Sequence, residues 1–183
     1  PTAEGLTPVE LDRITPIIAP KAILAAPGIT CPSNPDCPVL SDLTTLAAHA
    51  PADFAMGDPE RLAYIVFTSG SSGRPKAVAH AHRALWARRM MWEGWYGLRH
   101  TDRVLHAGAF NWTFTLGTGL LDPWTIGATA LIPAPGTAPD TLALLLKRHD
   151  ATIFAAAPGV FRKLLQGAAP LDLPKLRHGL AAG

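Results

Sequence analysis

The chain has 183 residues, 48% of them hydrophobic and 16% charged, with a formal net charge of +2. This composition excludes disorder and calls for extensive burial. The length suits one domain of ordinary size, and the charge is too small and too scattered for a nucleic-acid partner.

The opening PTAEGLTPVELDR lacks the basic-then-apolar pattern of a secretion signal, and no later run reaches the roughly 18 apolar residues of a membrane span. A cytoplasmic protein with no membrane span is the expectation. Thr7-Pro8 supplies a cap and a first-turn proline for a helix over 7–18. KAILAA (21–26) reads as a strand. PGITCPSNPDCP carries four prolines in twelve residues and is a loop. Its Cys31 and Cys37 have no CxxC or HxxxH partner to complete the roughly four ligands of a structural zinc, so they read as ordinary thiols. Helices follow over 40–49, 80–97, 113–122, 138–149 and 159–166. Strands follow over 63–68, 103–109, 128–133, 151–157 and near 179–183. Arg83, Arg88 and Arg89 are expected on a solvated face of the 80–97 helix.

The strands are short, uncharged in their centres and apolar at successive positions, as strands covered on both faces must be. Their alternation with helices predicts an α/β fold: a mostly parallel sheet flanked by helices. No internal repeat and no interdomain linker is visible.

YIVFTSGSSGRPKAV (64–78) stands apart. An apolar run stops at Thr68 and gives way to TSGSSGRPKA, with two glycines, three serines and two positive charges. The reading places this loop between a buried strand and a helix, where open α/β sheets bind ligands. Glycine allows close backbone approach, exposed N–H groups and hydroxyls donate to phosphate oxygens, and Lys76 adds a mobile charge. The chemistry is polyphosphate binding. A Walker loop is excluded because Pro75 stands where its second glycine belongs and Ala77 where its magnesium-binding hydroxyl belongs. A hydrolase elbow is excluded because Arg74 occupies its closing glycine. The bland alternative is a flexible connector, which would not need this fixed order of residue types.

FTSGSSGRPKAV closely resembles the phosphate-binding signature [YF]TSG[ST]TGxPKG of the adenylate-forming superfamily, which includes acyl- and aryl-CoA synthetases, peptide-synthetase adenylation domains and firefly luciferase. Ser72 replaces a threonine and keeps the hydroxyl; Ala77 replaces a glycine. The following HAHRAL is similar to the family's histidine-containing helix start, although His80 and His82 serve equally as packing residues. LHAGAFNWTFTLGTGLLDPWTIGATALIP resembles a second family segment. Counted back from Gly127-Ala128-Thr129 without a gap, Trp112 and Pro123 meet their counterparts in acetyl- and medium-chain synthetases. Thr113 and Phe114 fall where benzoate–CoA ligases carry an Ala-Tyr pair. TIFAAAPGVFRKLL resembles a further strand–turn–helix, with its turn at Ala156–Gly159.

The resemblance implies part of the N-terminal domain of an adenylate-forming enzyme, with residues 1–183 a single incomplete AMP-binding subdomain and the C-terminal domain absent. LAAG183 is similar to the first half of an S-G-G-E-x-L motif. The adenine-binding aromatic, the YGxTE motif, the ribose-binding aspartate and the distal catalytic lysine have no counterparts here, so the 183 residues alone are expected to be inactive. The implied function is that of a benzoate–CoA ligase-like acyl- or aryl-CoA synthetase. The substrates would be a small carboxylic acid, ATP and CoA, with Mg2+ held by substrate phosphates and water and no protein ligand assignable. Thr68, Ser69, Gly70, Ser71, Ser72, Gly73 and Lys76 would bind the ATP phosphates, Lys76 also steadying the leaving pyrophosphate as the catalytic residue. Trp112, Thr113 and Phe114 would wall the acyl pocket, at the same sheet edge as the glycine loop. The alternatives are a carrier-protein-loading adenylation domain and a non-catalytic nucleotide-binding module.

Overall fold

The computed structural model describes residues 2, 5–69, 75–134, 136–166 and 171–183. They divide into two compact units, Thr2–His80 and Ala81–Gly183.

The first unit opens with α1 (Pro8–Ile18). Thr7 Oγ1 accepts from the Glu10 backbone N–H (3.3 Å), while the Glu10 carboxylate accepts from the Thr7 N–H (2.8 Å), a reciprocal cap with Pro8 in the first turn. The helix buries Leu11 and Ile14. Asp12 Oδ1 accepts from the Ser33 N–H at 2.7 Å, anchoring the proline-rich loop to the helix. On either side of that loop, β1 (Ile23–Leu24) and β2 (Val39–Leu40) form a short parallel pair. The expected 21–26 strand is therefore trimmed to two residues. The expected 40–49 helix is a 3-10 turn over Thr44–Ala48, its first residue, Leu40, being taken by β2. Cys31 and Cys37 are free thiols.

The unit ends with β3 (Leu62–Ser69) and β4 (Pro75–Ala81), neighbours in a two-stranded sheet. This corrects three expectations. A strand, not a helix, follows the glycine loop. The 80–97 helix begins only at Arg83 and breaks into α2 (Arg83–Ala87) and α3 (Arg89–Gly94). β3 lies outside the parallel sheet and buries only Val66 among its described side chains, since one partner strand covers far less than a full sheet does.

The second unit carries the α/β architecture. Its sheet runs β6–β5–β7–β8, all parallel, from β5 (Arg103–Ala107), β6 (Thr129–Leu131), β7 (Ile153–Ala156) and β8 (His178–Ala181). The crossovers contain α4 (Thr113–Leu116), a π-helical turn (Gly117–Leu121), α5 (Asp122–Ile126), α6 (Thr141–Arg148) and α7 (Pro158–Leu165). Alternation along β5 and β7 splits the core in two. Val104, Ile153 and Ala155 pack with Trp92, Tyr96 and Leu98 on one face; Leu105, Phe154 and Ala156 pack with Leu142, Leu146 and Leu164 on the other. Every β7 residue is buried, which is why it reads as an unbroken apolar run.

The edge of this sheet where strands begin is held by Asp102, 3% exposed. Its carboxylate accepts from the Arg99 N–H (2.7 Å), Thr152 Oγ1 (2.7 Å) and the Arg177 guanidinium, which also donates to the Gly97 carbonyl (2.6 Å). Burial alone would raise the Asp102 pKa, but the hydrogen bonds from Arg177, Thr152 and Arg99 outweigh it and hold the carboxyl below its usual range. Among the described residues, no helix is long and apolar enough to cross a membrane.

Candidate active site

In the first unit, Tyr64 of β3 stacks on His80 of β4, centroids 4.6 Å apart and planes 11° from parallel. His80 is a packing residue. The stack sets the strands side by side with the glycine loop at one end, so Thr68 and Lys76, both exposed, stand at the loop's two feet. Ser69 is the last residue of β3. Gly70, Ser71, Ser72 and Gly73 lie outside the described residues. The strands that flank the loop, β3 and β4, pair with each other in a sheet separate from the one that holds β5.

In the second unit, β5 ends at Ala107 and the chain leaves the edge of the sheet where strands terminate, the usual ligand-binding edge of parallel sheets. Trp112 stays extended and Thr113 starts α4. Trp112, Thr113 and Phe114 are all half-buried. The structure brings the two rings together at 5.2 Å and 68°, with Trp95 at 6.1 Å from Phe114. Behind them stands a residue that sequence reasoning passed over, His106 of β5. Its ring lies 4.6 Å from Phe114 and 6.4 Å from Trp112, edge to face with both. It is 3% exposed, and burial lowers its pKa to about 4, so the imidazole is neutral at physiological pH. The available signal was a lone histidine within the apolar run that follows Arg103.

The described residues leave four buried side-chain polar atoms without a partner: Trp92 Nε1, His106 Nδ1 and Nε2, and Thr115 Oγ1. Three of the four thus belong to His106 and Thr115. The fully buried hydroxyl of this stretch is Thr115's, with Thr113 only half-buried. Gly108 and Gly119 leave room for these groups. A Cβ on Gly108 would overlap Thr115 Oγ1 and lie 3.3 Å from His106 Nδ1; one on Gly119 would lie 2.6 Å from His106 Cβ.

An ion pair braces this stretch. Arg88 Nε and Nη2 each donate to Asp122 at 2.6 Å, Tyr96 OH donates to the same carboxylate at 2.8 Å, and Nη2 reaches Thr118 Oγ1 at 3.3 Å. Burial first, and then the Asp122 charge, push the Tyr96 phenol pKa up. The Arg88 guanidinium fills the space where a Gly117 side chain would stand, and the helix widens to its π turn there. π turns of this kind occur often beside functional sites. Arg88 is therefore a half-buried partner of the buried Asp122 carboxylate, and Arg89 lies over the rings of Trp86 and Trp92 at 4.1 and 5.5 Å. The expected solvated arginine face is corrected for Arg88 alone; Arg83 and Arg89 are exposed.

The model of the family described as AMP-binding enzyme matches residues 15–183. The 3-hydroxybenzoate–CoA/4-hydroxybenzoate–CoA ligase of Thauera aromatica is 33% identical over 129 residues, covering 68% of this chain and 24% of that protein. A plipastatin synthase of Bacillus subtilis (strain 168) is also 33% identical, over 131 residues, covering 70% of this chain and 4% of that protein. A crystal structure of an anthranilate CoA ligase in complex with anthranoyl-AMP superimposes with a TM-score of 0.83, at 22% identity, over 97% of this chain and 39% of that one. At that identity the likeness is one of fold. The chain thus spans about a quarter of the length of the Thauera ligase.

Proposed function

The chain belongs to the AMP-binding enzyme family, and from that membership we propose that it is a part of an ATP-dependent acyl- or aryl-CoA synthetase, carrying the enzyme's phosphate loop and acyl pocket. The observation that carries this reading is the extent of the family match, which includes both the Thr68–Lys76 loop and the Trp112–Phe114 stretch. In the first half-reaction a carboxylate oxygen of the acid attacks the α-phosphorus of ATP, forming an acyl-adenylate and expelling pyrophosphate. In the second, the CoA thiolate attacks the acyl carbonyl and AMP departs. The first step needs positioning and charge neutralisation more than proton transfer.

Thr68, Ser69, Gly70, Ser71, Ser72 and Gly73 bind the β- and γ-phosphates in this reading, and Lys76 balances the charge that builds on the leaving pyrophosphate. Exposure of Thr68 and Lys76 at the feet of the loop supports their availability to a ligand. Among the described residues, no three His, Cys, Asp or Glu side chains converge to hold a metal, so no ligand for Mg2+ is assigned and no step is routed through it. Trp112, Thr113 and Phe114 wall a pocket for a small acid, aromatic or alicyclic. The Thauera relative is a hydroxybenzoate–CoA ligase, which supports an aromatic acid. The plipastatin synthase match favours a second reading, an adenylation domain that loads a carrier protein. Residues 1–183 are in either case one incomplete AMP-binding subdomain.

The test is Lys76→Ala in the full-length enzyme. Removing one charge-assisted contact costs about 1.5–3 kcal/mol, roughly ten- to a hundred-fold in adenylation rate. Thioester formation from preformed acyl-adenylate should hold, because pyrophosphate has already left. Equal loss in both steps assigns Lys76 a structural role. Offering CoA and a phosphopantetheinylated carrier side by side separates the two readings.

A further inference from the structure

A neutral imidazole has one donor and one acceptor nitrogen, and a hydroxyl can do both. Leaving such groups buried and unpaired is costly, so buried polar side chains are satisfied nearly always by protein, water or ligand. His106 and Thr115 break that rule side by side, with exposures of 3% and 0%. Both approach the point where a Gly108 Cβ would stand. Gly108 is itself exposed, and lacking a side chain it adds no screen of its own over either residue. On the other side of the imidazole stand the rings of Phe114 and Trp112. The π turn that begins at Gly117 follows directly, a second departure from regular structure at the same place.

We propose that His106 and Thr115 are the polar floor of the acyl pocket and hydrogen-bond a neutral polar substituent, a hydroxyl or amino group, on the ring of the acid that is activated. This rests on the acyl-pocket reading of Trp112–Phe114 given above. The aromatic walls hold the ring and the floor reads its substituent. Neutrality of the imidazole suits an uncharged group that both donates and accepts. It disfavours an unsubstituted ring, which would leave both polar groups buried and dry, the arrangement by which enzymes reject analogues that lack a hydroxyl.

The experiment measures acid-dependent pyrophosphate exchange by the full-length enzyme with benzoate, 3- and 4-hydroxybenzoate, 3- and 4-aminobenzoate and cyclohexanecarboxylate. The expected result is a kcat/KM at least tenfold higher for one hydroxylated or aminated ring than for benzoate. Thr115→Val, which keeps the shape, and His106→Leu should each cut that ratio at least tenfold. Quenching of tryptophan fluorescence on titration with the same acids gives a binding readout independent of turnover, and should show the same loss of discrimination. A wild-type ratio near one overturns the proposal, and that measurement needs no variant to fold. A ratio unmoved by Thr115→Val overturns it as well. Exchange with benzoate and the substituted acids at equal efficiency sinks this inference alone. Exchange with no acid at all sinks the acyl-pocket reading and this inference with it.

Discussion

Replacing Arg88 with methionine removes the cation from the brace beside the Trp112–Phe114 stretch but keeps much of its stem. Asp122, 1% exposed, then keeps the Tyr96 hydroxyl but loses two hydrogen bonds of 2.6 Å. Removing one partner of a buried ion pair costs about 3–5 kcal/mol, because the surviving charge stays desolvated. Tyr96→Phe removes a single hydrogen bond to a charged group and should cost about 1.5–3 kcal/mol. Arg88→Met combined with Asp122→Leu removes both charges and should recover most of the Arg88→Met loss, since an apolar pair of similar volume often replaces a buried ion pair without penalty. Urea unfolding followed by tryptophan emission measures all three. Its signal comes from the second unit alone, because all five tryptophans lie between Trp86 and Trp124. An Arg88→Met cost below about 1 kcal/mol refutes the reasoning. So does a double variant no more stable than Arg88→Met.

Phe114→Ala in the full-length enzyme should move the kcat/KM ratio of longer to shorter acids toward longer ones by about 1–3 kcal/mol, the usual scale for one or two methylenes; a ratio that stays put while stability falls makes Phe114 a core residue. His106 gives the second unit a pH dependence. Burial lowers its pKa from 6.5 to about 4, so the unfolded chain binds a proton in that window that the folded chain does not. The contribution is full above about pH 6.5 and is lost as pH falls toward 4. It amounts to about 3 kcal/mol at 1.36 kcal/mol per pH unit. His106→Leu should flatten that part of the profile, measured by tryptophan emission at fixed urea; an unchanged slope would show that the imidazole does not stay neutral.

What could be read from the residues alone was mostly what local chemistry dictates. Thr7-Pro8 starts α1 as expected, the apolar runs of β5 and β7 are strands, α6 lies within the span assigned to it, and α7 is shifted by one residue from its span. The misses depend on distant partners. PKAVAHA forms β4 because β3 lies beside it and His80 stacks on Tyr64, whereas by itself the segment reads as the lead-in to a helix. The 113–122 helix was expected to be regular, but Arg88, 34 residues from Asp122, fills the space beside Gly117 at the π turn. Trp112, Thr113 and Phe114 were singled out by their spacing from Gly127. His106 was not, because its importance lies in what surrounds it. Nothing in VLHAG reveals that both ring nitrogens end up buried without a partner.

The Asp102 carboxylate sets an order on events during synthesis. Its partners stand 50 residues away at Thr152 and 75 away at Arg177. A chain emerging from the ribosome therefore holds this acid without its cation until nearly the whole second unit has been made. Arg177 immediately precedes β8, so the cation and the covering strand of β7 arrive together. Until then the apolar IFAA strand presents an open edge, the kind of surface that recruits other chains. Closing so long a loop is slow to nucleate, and β7 gains its β8 partner and Asp102 its cation in one late step. A nascent chain paused short of Arg177 is the form of this protein most in need of a chaperone.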